Sequence, residues 1–321
     1  MNILITGGLG YLGAHILNEL IKLKNVNIII IDNFSNGDQK ILTFFSNSKI
    51  NLIKADIKNY KLLDKVFKKN NIDFVYHLAA KIDAKESVRK KNTYLKTNYL
   101  YTKKLVNLSN KYKIKKFFFA SSAAVYGNPK NKYCVETQHL KPVNPYGLSK
   151  LLAEKYICSN LKNSKFYIFR IFNLIGLDPK FYHYFKNRQS VFFKLLNLLK
   201  LKKKKFRIFQ YYSNKKLLST ERDFIDVRDV SKILVKSLLI KKKNFIINLG
   251  SGKSTSIMDL KNTFEFVFKY KINLISKIKD KSDPKSVIAF TKKFNIYFKK
   301  IKIMNISQSL SSFNNLLLKK N

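Results

Sequence analysis

The stretch from Asn2 to Asp32 constrains this chain more than any other. Ile3, Leu4 and Ile5 form a short continuous apolar run, the pattern of a parallel strand buried on both faces. The run enters Gly7-Gly8-Leu9-Gly10-Tyr11-Leu12-Gly13, where Gly8, Gly10 and Gly13 hold the spacing G-x-G-x-x-G. In such a loop the first glycine permits a tight turn and the second lets backbone approach a pyrophosphate. The third lets the following helix pack closely on the strand. Leu12, Ile16 and Leu20 recur every four residues, so a helix opens here, and its amino end carries the partial positive charge that attracts phosphate. A second buried run over 26–31 ends in Asp32, 19 residues beyond Gly13. A carboxylate at that distance suits an adenosine ribose and repels a 2′-phosphate, which favours NAD over NADP. Strand, glycines, helix, strand and acid in this order predict a dinucleotide-binding unit.

The alternation continues. Strands are expected over 50–54, 74–78, 117–120 and 166–171, and helices over 60–70, near 94–112 and over 145–161. The fold class is therefore α/β, a doubly wound parallel sheet of Rossmann type. In such sheets ligands sit beyond the carboxyl ends of the strands, and Gly10, Asp32, Asp56, Ala79, Ser122 and Phe172 all fall there. The pattern loosens further on. A helix over 191–199, a solvated turn at 202–205, a helix over 230–239, a strand over 245–249, a helix over 258–268 and a strand over 272–278 are expected. The domain assignment is 1–176 for dinucleotide binding and 177–321 for a smaller mixed α/β substrate region, with 222–250 packing back on the first.

Tyr146 and Lys150 are four apart, so on a helix beginning at Pro145 they share a face. A free phenol has a pKa of about 10, and a nearby ammonium favours the phenolate. The pair is a candidate general base for an alcohol. The same spacing also fits an ordinary surface helix in a chain with 18 tyrosines; the glycine fingerprint upstream gives it chemical meaning.

Composition narrows the setting. The 321 residues are 45% hydrophobic, enough for a sizeable core, yet no stretch reaches the roughly 18 apolar residues of a bilayer span. The amino terminus has no signal-peptide pattern, and Cys134 and Cys158 form no metal or redox spacing, so a reducing cytoplasm and no metal are expected. Net charge is +45, but only six of the cations are arginines and the lysines spread over the whole length. A uniform lysine coat reads as compositional bias, with loose polyanion binding as a side effect rather than a specific nucleic-acid partner.

Several stretches together resemble the extended short-chain dehydrogenase/reductase superfamily, and within it the UDP-glucose 4-epimerase type of the NAD-dependent epimerase/dehydratase family. They are Thr6 to Gly13, Asp32-Asn33, His77-Leu78-Ala79-Ala80, Glu86-Ser87-Val88, Ser121 to Gly127 and Asn144 to Lys150, followed by Arg170 to Asn173, Arg222-Asp223-Phe224 and Asn248 to Gly252. The resemblance implies an isomerase with NAD as cofactor and a nucleotide sugar, most simply a UDP-sugar, as substrate. The sugar C4 would be oxidised transiently to a 4-keto intermediate that turns over and regains hydride on its other face. Tyr146 would be the acid–base group, Lys150 would hold the nicotinamide ribose, and Ser122 would hydrogen-bond the reacting hydroxyl. Gly7, Gly10, Tyr11, Leu12, Gly13, Asp32, Asn33, Asp56, Ile57, Leu78, Ala79, Ala80 and Phe172 would join Tyr146 and Lys150 against the cofactor. Asn173 and Arg222 would join Ser122 and Tyr146 against the substrate. Galactose metabolism and a homodimer are implied in the same way.

Departures from the pattern matter. Ala123 and Ala124 follow Ser122 where sugar dehydratases and decarboxylases typically carry an acid, which argues against elimination. Ile82 and Thr97 stand where some epimerases have Lys and Asn, and Asp280-Lys281-Ser282-Asp283 only partly meets a late Arg-x-Gly-Asp segment. Alternatives are a related enzyme on a UDP-N-acetylhexosamine, a UDP-uronate or a dTDP-sugar, and, more remotely, a non-catalytic NAD-binding protein.

Overall fold

The structure, a computed structural model, describes residues 1–46, 48–185, 190–213, 216–241, 244–278, 284–299 and 301–312. The chain begins β1 (Asn2–Thr6), α1 (Tyr11–Leu20), β2 (Asn27–Asp32), β3 (Ile50–Lys54), α2 (Tyr60–Asn70) and β4 (Phe74–His77). It continues with α3 (Ala84–Arg89), α4 (Lys91–Leu95), α5 (Tyr101–Lys111), β5 (Lys116–Ser122), α6 (Pro145–Asn160), β6 (Lys165–Ile171) and β7 (Asn173–Ile175). After α7 (Val191–Lys200) come β8 (Lys205–Ser213), β9 (Lys216–Ser219), β10 (Glu221–Arg222), β11 (Phe224–Asp226), α8 (Val227–Lys236) and β12 (Phe245–Leu249). The last elements are β13 (Thr255–Ser256), α9 (Ile257–Phe268), β14 (Asn273–Ile278), β15 (Ser286–Val287), α10 (Lys292–Phe298) and α11 (Ile306–Ser311). Two compact units form: Met1–Val125, Leu140–Arg170 and Ser231–Ile247 in one, and Tyr126–His139, Ile171–Val230 and Asn248–Asn321 in the other.

A seven-stranded sheet in the order β12-β6-β5-β4-β1-β2-β3 makes the fold doubly wound and Rossmann-like. Its central pairs are parallel, with Thr6 opposite His77 and Thr6 opposite Ile31. Such strands are covered on both faces, which is why they read as unbroken apolar runs: Ile3, Leu4, Ile5, Phe117 and Phe118 are fully buried. On one face Leu63 and Phe67 of α2, Leu105 and Leu108 of α5, and Ala153 and Ile157 of α6 close over Leu4, Val75, Phe117 and Ile168. Each large apolar side chain so buried contributes about 1.5–3 kcal/mol. From β1 the chain winds outward to β3, then returns to β4 on the other side of β1. The order reverses between β1 and β4, and the carboxyl ends of these strands are where such sheets hold ligands.

Several elements differ from the sequence expectation, and three show why. The helix expected near 94–112 is broken into α4 and α5 by a π-helical turn, Lys96–Leu100, which turns Asn98 inward to bond the backbone of Lys81. The helix expected over 230–239 starts earlier, at Val227, because the Asp226 carboxylate accepts the Arg228 N–H at 2.8 Å, and after Lys236 it tightens into a 3₁₀ turn, Ser237–Leu239. β8 was not expected, since the lysines at 202–205 mask the alternation that buries Phe206 and Ile208; it pairs with β9 antiparallel and β14 parallel. Asp280 to Asp283, the partial match to the late substrate segment, lies outside the described residues. Among the described residues no helix is long and apolar enough to cross a membrane.

Candidate active site

The glycine loop turns at one residue earlier than its spacing assigns. Gly7, not Gly8, has the positive φ, +71°, and a Cβ there would lie 2.8 Å from the Ala79 backbone. A Cβ on Gly13 would lie 2.5 Å from the Gly8 carbonyl oxygen, so the third glycine does bring α1 onto the loop. Gly10 caps α1 with extended backbone and no side-chain hydrogen bond, so the end of the helix is closed by no polar side chain of its own. Asp32 at the end of β2 is buried; its Oδ2 accepts the Leu9 N–H at 3.0 Å and its Oδ1 the Phe34 N–H at 2.8 Å. The carboxylate thus fastens the glycine loop to the turn after β2. In that turn Asn33 donates from Nδ2 to Asp56 at 3.0 Å, while Ile57 is buried behind it. Leu78 donates its N–H to the Thr6 carbonyl, keeping Ala79 and Ala80 beside the loop.

The chemistry-bearing groups stand at the adjacent strand end. Asn144 caps α6, accepting the Gly147 N–H at 2.9 Å, and Pro145 occupies the first turn. Gly147 permits a very close approach, since a Cβ there would lie 2.4 Å from the Ala124 carbonyl oxygen. The approach sets the Tyr146 phenol toward the hydroxyl of Ser122, the last residue of β5. One turn on, Lys150 is 3% exposed and donates from Nζ to the Ala120 carbonyl at 2.7 Å, with its ammonium 4.8 Å from the centre of the Phe119 ring. Burial holds the Tyr146 phenol above its usual value, and the Ser122 hydrogen bond pulls the other way. The net effect is a rise, so the lowering expected from Lys150 is not met. Burial also draws the Lys150 ammonium down to about 7, against the opposing pull of Glu154.

Sequence reasoning passed over a buried polar chain behind this site. His77, 1% exposed, lies between Thr6 Oγ1, 2.7 Å from Nδ1, and Thr102 Oγ1, 2.8 Å from Nε2. Thr102 donates to the Asn98 carbonyl at 2.7 Å, so it accepts from Nε2–H, and Nδ1 is left to accept from Thr6. Asn98 Nδ2 donates to Ser149 Oγ at 3.0 Å, and Ser149 donates to the Tyr146 carbonyl at 2.7 Å. The spacing Asn98-x-x-x-Thr102 is the signal that was available; the π turn that faces both inward is not visible in a pattern of hydrophobicity.

All but three of the sequence-derived site residues gather at the strand ends of the first compact unit. Phe172, Asn173 and Arg222 belong to the second. There Phe172 is buried with its ring 6.3 Å from that of Tyr126, and Asn173 bonds the Asp223 carbonyl through both its backbone N–H (3.0 Å) and its side chain (3.3 Å). The Arg222 guanidinium donates to the carbonyls of Glu221 (2.7 Å) and Lys285 (3.3 Å). The carboxylate of Asp223 is engaged instead by Ser251, Gly252 and Ala289, and that of Glu221 by Ser254.

A doubly wound sheet with a glycine loop at its switch point and a Ser–Tyr–Lys constellation on the neighbouring strand end defines an enzyme of the short-chain dehydrogenase/reductase class. Residues 3–250 match the model of the NAD dependent epimerase/dehydratase family. A putative UDP-glucose 4-epimerase of Methanocaldococcus jannaschii is 34% identical over 263 residues, 80% of this chain and 79% of that protein. The crystal structure of UDP-glucose 4-epimerase from Bifidobacterium longum in complex with NAD+ and UDP superimposes with a TM-score of 0.86 at 26% identity, over 99% of this chain and 98% of that one. UDP-glucuronic acid 4-epimerase from Bacillus cereus, solved with UDP-glucuronic acid and NAD, gives 0.85 at 25%, over 100% of both chains. This chain belongs to the NAD-dependent epimerase/dehydratase family. Its cofactor is NAD, and it is an epimerase, an isomerase in net reaction.

Proposed function

We propose that the protein interconverts the C4 epimers of a UDP-sugar, with UDP-glucose and UDP-galactose as the pair. The Ser122 hydroxyl and the buried Tyr146 phenol, one helical turn from a buried Lys150, carry this reading. The fit to NAD rests on the cradle itself: Gly7 and Gly13 let the loop pack tightly against Ala79 and the start of α1, and Gly10 leaves that helix end without a side-chain cap, where a pyrophosphate could sit. Gly7, Gly10, Tyr11, Leu12, Gly13, Asp32, Asn33, Asp56, Ile57 and Leu78 to Ala80 would hold the cofactor, and the resemblance adds Phe172. Bound NAD supplies a reversible hydride acceptor, so C4 is oxidised and re-reduced without net redox change.

Tyr146 takes the C4 hydroxyl proton and later returns it. Ser122 hydrogen-bonds that hydroxyl and orients it. Lys150, whose ammonium burial draws down to about 7, is one helical turn from the phenol and would hold the nicotinamide ribose. Asn173 and Arg222 hold the nucleotide diphosphate, where a guanidinium suits paired phosphate oxygens. Ala123 and Ala124 put no carboxylate after Ser122, which favours epimerisation over loss of water. The setting we propose is galactose metabolism in the cytoplasm, as a homodimer; light scattering on the purified protein tests the last point. Incubation with UDP-glucose, UDP-N-acetylglucosamine and UDP-glucuronic acid, followed by separation of products, tests the substrate. UDP-galactose formed fastest, without added NAD, is the expected result; turnover of the uronate alone would move the protein to that branch.

A further inference from the structure

The mechanism above leaves one buried acid of the first compact unit unused. Glu154 is 2% exposed and lies one turn beyond Lys150 on the same face of α6. Its Oε1 accepts from the Ser121 hydroxyl and from Arg170 Nε at 3.1 Å, and its Oε2 accepts from Arg170 Nε at 3.2 Å and Nη2 at 2.8 Å. Arg170 and Ser121 are buried as well, at 2% and 4% exposure. Two consecutive turns of α6 therefore grip two consecutive residues of β5: Lys150 takes the Ala120 carbonyl and Glu154 the Ser121 hydroxyl. The next residue along β5 is Ser122, the partner of Tyr146.

We propose that Glu154 is a positioning residue for the epimerase reaction, holding the end of β5 in register with α6 and balancing the buried charges of Lys150 and Arg170. The proposal rests on the roles given above to Tyr146, Lys150 and Ser122. The groups facing Lys150 are His77 from β4, the Phe119 ring and Ala120 carbonyl from β5, Tyr146 and Glu154 from α6, and, through Glu154, Arg170 from β6. His77 and Tyr146 are held neutral by burial, so Glu154 is the one negative charge among these groups. Its loss leaves the buried cations of Lys150 and Arg170 without the carboxylate they share. An excess positive charge favours both the phenolate of Tyr146 and the neutral amine of Lys150.

The test is the pH profile of kcat for UDP-glucose epimerisation in Glu154→Gln, in Glu154→Gln/Arg170→Met, in Ser121→Ala and in Tyr146→Phe. In Glu154→Gln both limbs should move to lower pH by about one unit. In the double variant, which restores the charge balance and removes the penalty of an unpaired buried cation, they should return to wild-type positions. Its kcat, and that of Ser121→Ala, should stay about tenfold low because the tether is weakened. A single variant with an unmoved profile, or a double variant more displaced than the single, overturns the proposal. Should the single variant not fold, wild-type kcat in both the double variant and Ser121→Ala would overturn it. Tyr146→Phe separates the two levels: if it remains active, the underlying roles are wrong; if it is dead while the Glu154 variants behave as wild type, only this inference fails.

Discussion

Tyr146 is held to its task by what surrounds it rather than by its own acidity. The phenol is buried and raised, and the Ser122 hydroxyl is the group that pulls it back down. Tyr146→Phe removes the oxygen and leaves the ring's packing in place, so turnover should fall by about 10²–10⁴ while NAD remains bound in the purified protein. Near-normal rates would take the tyrosine out of the chemistry. Gly147 next to it makes a steeper claim. A methyl group there meets the Ala124 carbonyl oxygen at 2.4 Å, so Gly147→Ala must push α6 off β5. We expect a loss of about 1–3 kcal/mol of stability and a lower kcat, read from denaturant unfolding and steady-state assays. A variant as stable and active as wild type would mean that the contact yields. Asp32→Ala removes the acceptor for the Leu9 and Phe34 N–H groups together. NAD should then bind more weakly and NADP be relatively better tolerated; an unchanged preference in cofactor titrations would count against the ribose contact.

At the scale of elements, β4, the π turn and α6 are joined through His77 and Asn98. Burial drives the His77 imidazole down to about 3, against an unfolded value near 6.5. The folded state therefore binds fewer protons than the unfolded state below pH 6.5, and stability is lost as the pH falls from there toward 3. Between pH 7.5 and pH 5 the loss from this one residue should be about 2 kcal/mol. Urea midpoints at the two pH values should drift apart in wild type and draw together in His77→Gln. Equal drift in both would place the acid sensitivity elsewhere.

For the whole molecule the dominant electrostatic fact is the net charge of +45, from 64 basic and 19 acidic side chains. Like charges at this density repel one another in the compact state, and dissolved salt screens them over about 10 Å at 0.1 M. The melting temperature should therefore rise as sodium chloride increases from about 20 to 300 mM. A flat or falling curve in differential scanning fluorimetry would mean that the lysines lie too far apart to interact.

The division between what was legible and what was not follows from the range of the interactions. Strands β1, β2 and β5, helices α1, α2 and α6, and the glycine, Asp32, Ser122, Tyr146 and Lys150 positions could all be read in order. Each depends on local periodicity, capping or a fixed spacing within one element and its neighbour. The π turn, the hairpin of β8 and β9, and the bonds from Asn98 to Ser149 and from Glu154 to Ser121 could not. The two bonds join residues 51 and 33 positions apart, the π turn faces Asn98 to partners named only when the elements dock, and lysines mask the alternation of β8. The sequence alone determined the order of strands and helices and the groups able to do chemistry. The tertiary structure alone decided their protonation, because burial and partnership, which move a phenol up and an ammonium down, exist only once the chain has closed over them.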